Sequence, residues 1–125
     1  MGAIETLVPF IDARSGRYAE LSDRIWNLAE LRYDEHRSAE LHIAQLEASG
    51  FRVTRGAAGI LTAFVAEAGA GGPVIGLLGE YDALSGLSQE SGACACKPSA
   101  ETPNGNGHGC GHHLLGAPRI WRRRR

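Results

Sequence analysis

Between Asn104 and His113 the chain sets three histidines and one cysteine among glycines, as Asn104-Gly105-Asn106-Gly107-His108-Gly109-Cys110-Gly111-His112-His113. His108, Cys110 and His112 stand at alternate positions. In an extended backbone such side chains lie on one side, so imidazole nitrogens and a thiolate can converge on one point. That donor set suits zinc and neighbouring transition metals, and manganese less strongly. The glycines permit close approach and backbone conformations that other residues avoid. The same residues also read as a polar loop with solvated histidines. A second group, Glu80-Tyr81-Asp82, places two carboxylates directly after an apolar run. Functional side chains in α/β sheets gather beyond the carboxyl ends of strands, so Glu80 and Asp82 fit a metal or catalytic position. A solvated turn or a helix cap is the plainer alternative. Cys94 and Cys96 form a Cys-x-Cys pair, read either as two soft donors or as incidental loop thiols.

The elements that must position these groups follow from periodicity. Leu7, Phe10, Ile11, Arg14, Tyr18, Leu21, Ile25, Trp26 and Leu28 recur at three- and four-residue steps, predicting a helix over residues 4 to 31 that Pro9 starts or interrupts. A second helix is expected from Ser38 to Ser49, with Ser38 as N-cap and Gly50 just past its end. Its apolar stripe is Leu41, Ile43, Ala44, Leu46 and Ala48. Trp26 and Tyr33 are candidate core anchors or site walls. Residues 51 to 55 and 60 to 66 read as strands. Residues 73 to 79 form a continuous apolar run, as expected of a strand buried on both faces. Residues 83 to 107 show no periodicity, and a loop of that length in a compact domain is functional or disordered. Helices followed by strands predict an α/β layer architecture.

Composition narrows the function classes. The 125 residues, 43% hydrophobic and 22% charged, fit one ordinary globular domain or part of one. A net charge of −1 provides no general attraction to nucleic acid or an anionic membrane. No apolar run approaches the roughly 18 residues that a membrane span needs, and the N-terminus lacks the basic and apolar regions of a signal peptide. Three cysteines without a signal sequence predict a reducing cytoplasm rather than a disulfide framework.

Two separated motifs, Gly79-Glu80-Tyr81-Asp82-Ala83-Leu84-Ser85-Gly86-Leu87-Ser88-Gln89 and Asn106-Gly107-His108-Gly109-Cys110-Gly111-His112-His113-Leu114-Leu115-Gly116, closely resemble the M20 metallopeptidase/amidohydrolase family, and within it the aminobenzoyl-glutamate utilization branch. The resemblance runs from about residue 5 to residue 117 and includes Ile25-Trp26 and the Ser38-Ala39-Glu40 helix start. It assigns residues 1–117 to the N-terminal part of an M20-type catalytic α/β sandwich, without the lid domain, and leaves residues 118–125 as an Arg-rich tail foreign to the family. It implies a two-metal site of zinc or manganese and hydrolysis of the amide bonds of N-acyl amino acids or dipeptide-like conjugates, of which p-aminobenzoyl-glutamate is one type. Cys110 and His112 match the metal-ligand positions, and Cys110 matches the one that can bridge two metals. Asp82 matches the carboxylate that orients or supports the site. Glu80 falls where related peptidases place a metal-binding histidine, and His108 precedes the matched pair. The implied partner is a small-molecule amide, with a homo-oligomer open for the complete enzyme.

The chemistry explains the residue types. A metal lowers the pKa of bound water from 15.7 to about 7 and polarises the scissile carbonyl, and a separate carboxylate must move the proton to the leaving nitrogen. In the family that base belongs to a downstream Glu-Glu pair, which this chain does not contain. His113 stands where the family usually has Asn or Asp. Pro118 and Arg122 to Arg125 depart from the helix expected there, as a frameshift or mispredicted gene end would. Two function classes follow: part of a metal-dependent amidohydrolase, inactive alone, or a small metal-binding or interaction module.

Overall fold

The computed structural model describes residues 3–108. They form three helices followed by an antiparallel hairpin: α1 (Ala3–Asp12), α2 (Ser15–Leu28), α3 (His36–Ala48), β1 (Arg52–Arg55) and β2 (Phe64–Glu67). Helices followed by strands are what an α/β portion of a larger enzyme would present.

The single helix expected over residues 4 to 31 is two. Pro9 lies inside α1, where its missing N–H leaves a gap in the ladder. Beyond it the Arg14 N–H donates to Ile11 O at 3.0 Å in a tighter turn, and the Ser15 hydroxyl donates to Asp12 O at 2.8 Å. That local bond, with Gly16 following, favours a break over continuation. The second helix starts earlier than expected, with Glu35 at its N-cap position and Ser38 inside its first turn. Its end matches expectation: Gly50 has φ +87°, its N–H donates to Glu47 O at 2.9 Å, and the Phe51 N–H donates to Leu46 O at 3.0 Å. This is the paired closure that a left-handed residue past a helix permits.

The core is small. Leu21 and Ile25 of α2 and Ala39 and Ile43 of α3 are buried, together with Ala83. The face of α3 that goes inward is Ser38, Ala39, His42 and Ile43, whereas Ala44 and Ala48 of the expected stripe are exposed. Ser38 and His42 take core places because each meets a partner from outside the helix, Glu30 for the serine and Tyr81 for the histidine. The hairpin packs against α3. Its register pairs Arg52 with Glu67 and Arg55 with Phe64. The strand expected from Ile60 begins only at Phe64, because residues 60 to 63 close a turn in which the Ala63 N–H donates to Ile60 O at 3.0 Å.

The expected buried strand at residues 73 to 79 is corrected outright. Among the described residues no strand pairs with it, and Val74, Ile75, Leu77 and Leu78 are 84–91% exposed. A segment apolar on both faces needs a neighbour at each edge and a layer on each side, and the hairpin, paired with itself, provides neither. No helix among the described residues is long and apolar enough to cross a membrane.

Candidate functional site

After α2 the chain turns through Ala29 in the left-handed region and reaches Glu30. Both ends of Glu30 are used. Its carboxylate accepts the Ser38 N–H at 2.7 Å, the Ser38 hydroxyl at 2.6 Å and the Arg37 N–H at 3.2 Å. This satisfies donors of the first turn of α3 that would otherwise lack partners, and an anion there is also favoured by the helix dipole. Burial pushes the Glu30 carboxyl up, but the Ser38 bonds, the Arg37 N–H and the Arg37 charge outweigh it and hold it below the usual carboxylate range. The backbone oxygen of Glu30 accepts the Ala83 N–H at 2.7 Å, within a parallel bridge between Leu31 and Ala83.

The segment carrying Glu80 and Asp82 is thus stitched to the end of α2. Its other edge is bonded to the histidine-rich motif. Leu84 and Gly107 form an antiparallel bridge, the Leu84 N–H donating to Gly107 O at 2.9 Å and the Gly107 N–H donating to Leu84 O at 3.0 Å. This register places His108 on the Asp82 side of the bridge. Gly107 is required there by space: a Cβ would meet Leu87 O, and would lie 2.8 Å from Ser88 Cα and 3.0 Å from Gln89 N.

His108 is 3% exposed, with the Trp26 indole 5.9 Å away between ring centroids. Trp26 Nε1 donates to Gln89 O at 3.2 Å, fixing the ring between α2 and the loop. Trp26 is therefore a wall of the candidate site, whereas Tyr33 is exposed and is neither wall nor core. Asp82 is half-buried and Glu80 exposed. Cys110, His112 and His113 lie outside the described residues, as does the tail from Pro118. Among the described residues no three His, Cys, Asp or Glu side chains gather into a metal-holding group. Asp82 and His108 lie on the same side of the bridge, and their side chains, with that of Cys110 two residues beyond His108 in sequence, are of the types that zinc accepts.

Across 106 residues, 85% of its length, the chain is 54% identical to a subunit of the p-aminobenzoyl-glutamate hydrolase of Escherichia coli (strain K12). The chain is a sequence relative of that hydrolase. It spans 22% of the relative's length. No family model matches the chain.

In this relative of the hydrolase, sequence reasoning missed Tyr81 and His42. The Tyr81 hydroxyl donates to Thr62 O at 2.6 Å, and its ring lies 4.9 Å from His42 and 6.3 Å from Phe64. Burial, with the nearby Glu35 and Glu30 charges, pushes the phenol up to about 12. Burial alone pulls His42 down to about 4, so the imidazole is neutral. The three rings pin the Glu80–Asp82 segment to α3 and β2. Positions 35, 38, 39, 42 and 43 already carry helical spacing in the sequence. Counting His42 as an aromatic ring rather than a charge would have revealed this face.

Proposed function

We infer that this chain forms part of the active site of a metal-dependent amidohydrolase of the M20 type, acting on amide bonds of N-acyl amino acids or dipeptide-like conjugates such as p-aminobenzoyl-glutamate. The observation that carries the reading is the Leu84–Gly107 bridge, which bonds the carboxylate motif to the histidine-rich motif. The 54% identity to part of a hydrolase named for that substrate supports the substrate class. The exposed apolar run at residues 74 to 78 favours a part of a larger enzyme over an independent module, because monomeric domains rarely leave such contiguous surface uncovered.

In this reading Cys110 and His112 hold a divalent metal, zinc or manganese, and Asp82 orients the site, with Glu80, His108 and His113 beside it. When bound, the metal supplies Lewis acidity toward the amide carbonyl and toward water. The chain's own contribution is placement. Glu30 ties Asp82's segment to α3, Trp26 and Gly107 seat His108, and the Tyr81 ring fixes the backbone before Asp82. The general base and remaining ligands come from outside these 125 residues, so the chain alone is inactive; its odd cysteine count fits a cytoplasmic enzyme.

A chimaera tests this. The matched 106 residues of the E. coli hydrolase are replaced by those of this chain, and release of p-aminobenzoate is followed. The reading expects hydrolysis by the chimaera, and a fall in kcat of about 100-fold or more on Asp82→Ala, Cys110→Ala or His112→Ala, as for loss of a metal or proton-handling group. An active chimaera indifferent to all three substitutions overturns it. So does robust hydrolysis by the 125-residue chain alone.

A further inference from the structure

Residues 89 to 97 form a closed loop. The Glu90 N–H donates to Lys97 O at 2.7 Å, and Lys97 Nζ pairs with Glu90 Oε2 at 2.7 Å. Inside this closure the Gln89 side chain grips the backbone twice: its Nε2 donates to Ala95 O at 2.8 Å, and its Oε1 accepts the Lys97 N–H at 3.0 Å. Gly92, at φ +80°, makes the turn that the Ala93 N–H closes on Glu90 O at 3.3 Å. Cys94 and Cys96 straddle Ala95, the residue whose carbonyl Gln89 holds. Both are free, both are exposed, and the amidohydrolase reading uses neither.

Two residues on either side of a third have Cα atoms at most about 7 Å apart, and here the backbone on both sides of the second cysteine is held. Two thiolates can therefore meet one ion with little further ordering, and ordering is a main cost of binding. Among the described residues no third His, Cys, Asp or Glu joins them in a metal-holding group. Two adjacent thiolates suit a soft ion that two sulfur donors satisfy, which among biological metals is Cu(I). We propose that Cys94 and Cys96, presented by the Gln89-braced loop, are a two-thiolate site for Cu(I). Binding forms two Cu–S bonds, and the two thiol protons leave to solvent with no change of oxidation state.

The test uses the full 125-residue chain carrying Cys110→Ser, so that the thiol of the candidate hydrolytic site is absent. The reduced protein is titrated anaerobically with Cu(I) in competition with bicinchoninate. One Cu(I) per chain is expected. Cys94→Ser and Cys96→Ser should each weaken binding by about 100-fold, the loss expected when a chelate becomes a single contact. Gln89→Ala should weaken it several-fold with both thiols intact. Equal uptake by the parent and the serine variants overturns the site. Unchanged affinity in Gln89→Ala overturns the claim that the loop is built to present it.

Discussion

Leu84 and Gly107 exchange both of their backbone hydrogen bonds, at 2.9 and 3.0 Å, and so join two motifs that the sequence separates by a long irregular loop. The bridge depends on the absence of a side chain at 107, where Leu87, Ser88 and Gln89 leave no room. Gly107→Ala should cost about 1–3 kcal/mol, the range for overpacking a filled site. Hydrogen exchange at the Leu84 amide should accelerate with it. An unchanged exchange rate and melting temperature would show that the bridge does not hold the motifs together.

Glu30 and Ser38 make a second joint. Ser38 is 1% exposed, so removing the carboxylate leaves its N–H and hydroxyl buried without that partner. Glu30→Ala should destabilise by about 1–3 kcal/mol. Ser38→Ala should cost less, because the two backbone N–H donors keep their acceptor. In a double-mutant cycle the pair should show a coupling of about 1 kcal/mol. Strict additivity would contradict the capping role.

His42 predicts a specific pH dependence. Its folded pKa, about 4, lies below the ordinary 6.5. Above pH 6.5 both folded and unfolded chains hold it neutral, and its contribution to stability is complete. As pH falls from 6.5 to about 4, the unfolded chain binds a proton that the folded one refuses. Stability should therefore decline, by on the order of 3 kcal/mol over that window. The lowered Glu30 carboxyl loses its contribution at still lower pH, as protons compete below its usual 4.5. His42→Phe keeps a ring against Phe64 and Tyr81 but cannot titrate. Its urea midpoint should change less between pH 6.5 and 4.5 than that of the parent, and parallel curves would exclude His42 as the cause.

The ends of the elements show what local pattern can specify. Gly50 closes α3 as its sequence position indicates, because a left-handed residue after an apolar stripe is a local signal. The break after Asp12 depends on competition between a helix bond and the Ser15 hydroxyl, which periodicity does not record. The inward face of α3 was misread because Ser38 and His42 look solvent-seeking until Glu30 and Tyr81, distant in sequence, are placed against them. Residue type and spacing single out Asp82 and His108 as candidates but not the Leu84–Gly107 bridge beside them, since that needs the Glu30–Ala83 stitch on one edge and the Gly107 contact on the other.

Residues 74 to 78 carry no packing within the described fold. Ile75→Lys and Leu77→Lys should each change stability by less than about 0.5 kcal/mol, as surface substitutions do. They should also slow aggregation, because charge blunts an apolar edge. A loss of several kcal/mol would mean that the segment is buried in solution.

That the carboxylate and histidine-rich motifs build one metal site is tested most directly by calorimetric titration with zinc of the 125-residue chain carrying Cys94→Ser and Cys96→Ser, in which Cys110 is the one thiol left. Weak binding is expected, abolished by Cys110→Ala or His112→Ala and weakened about tenfold or more by Asp82→Ala, the loss expected for a group that supports metal ligands. Zinc affinity unchanged by Asp82→Ala, with Cys110→Ala abolishing binding, would show that the two motifs do not share a site.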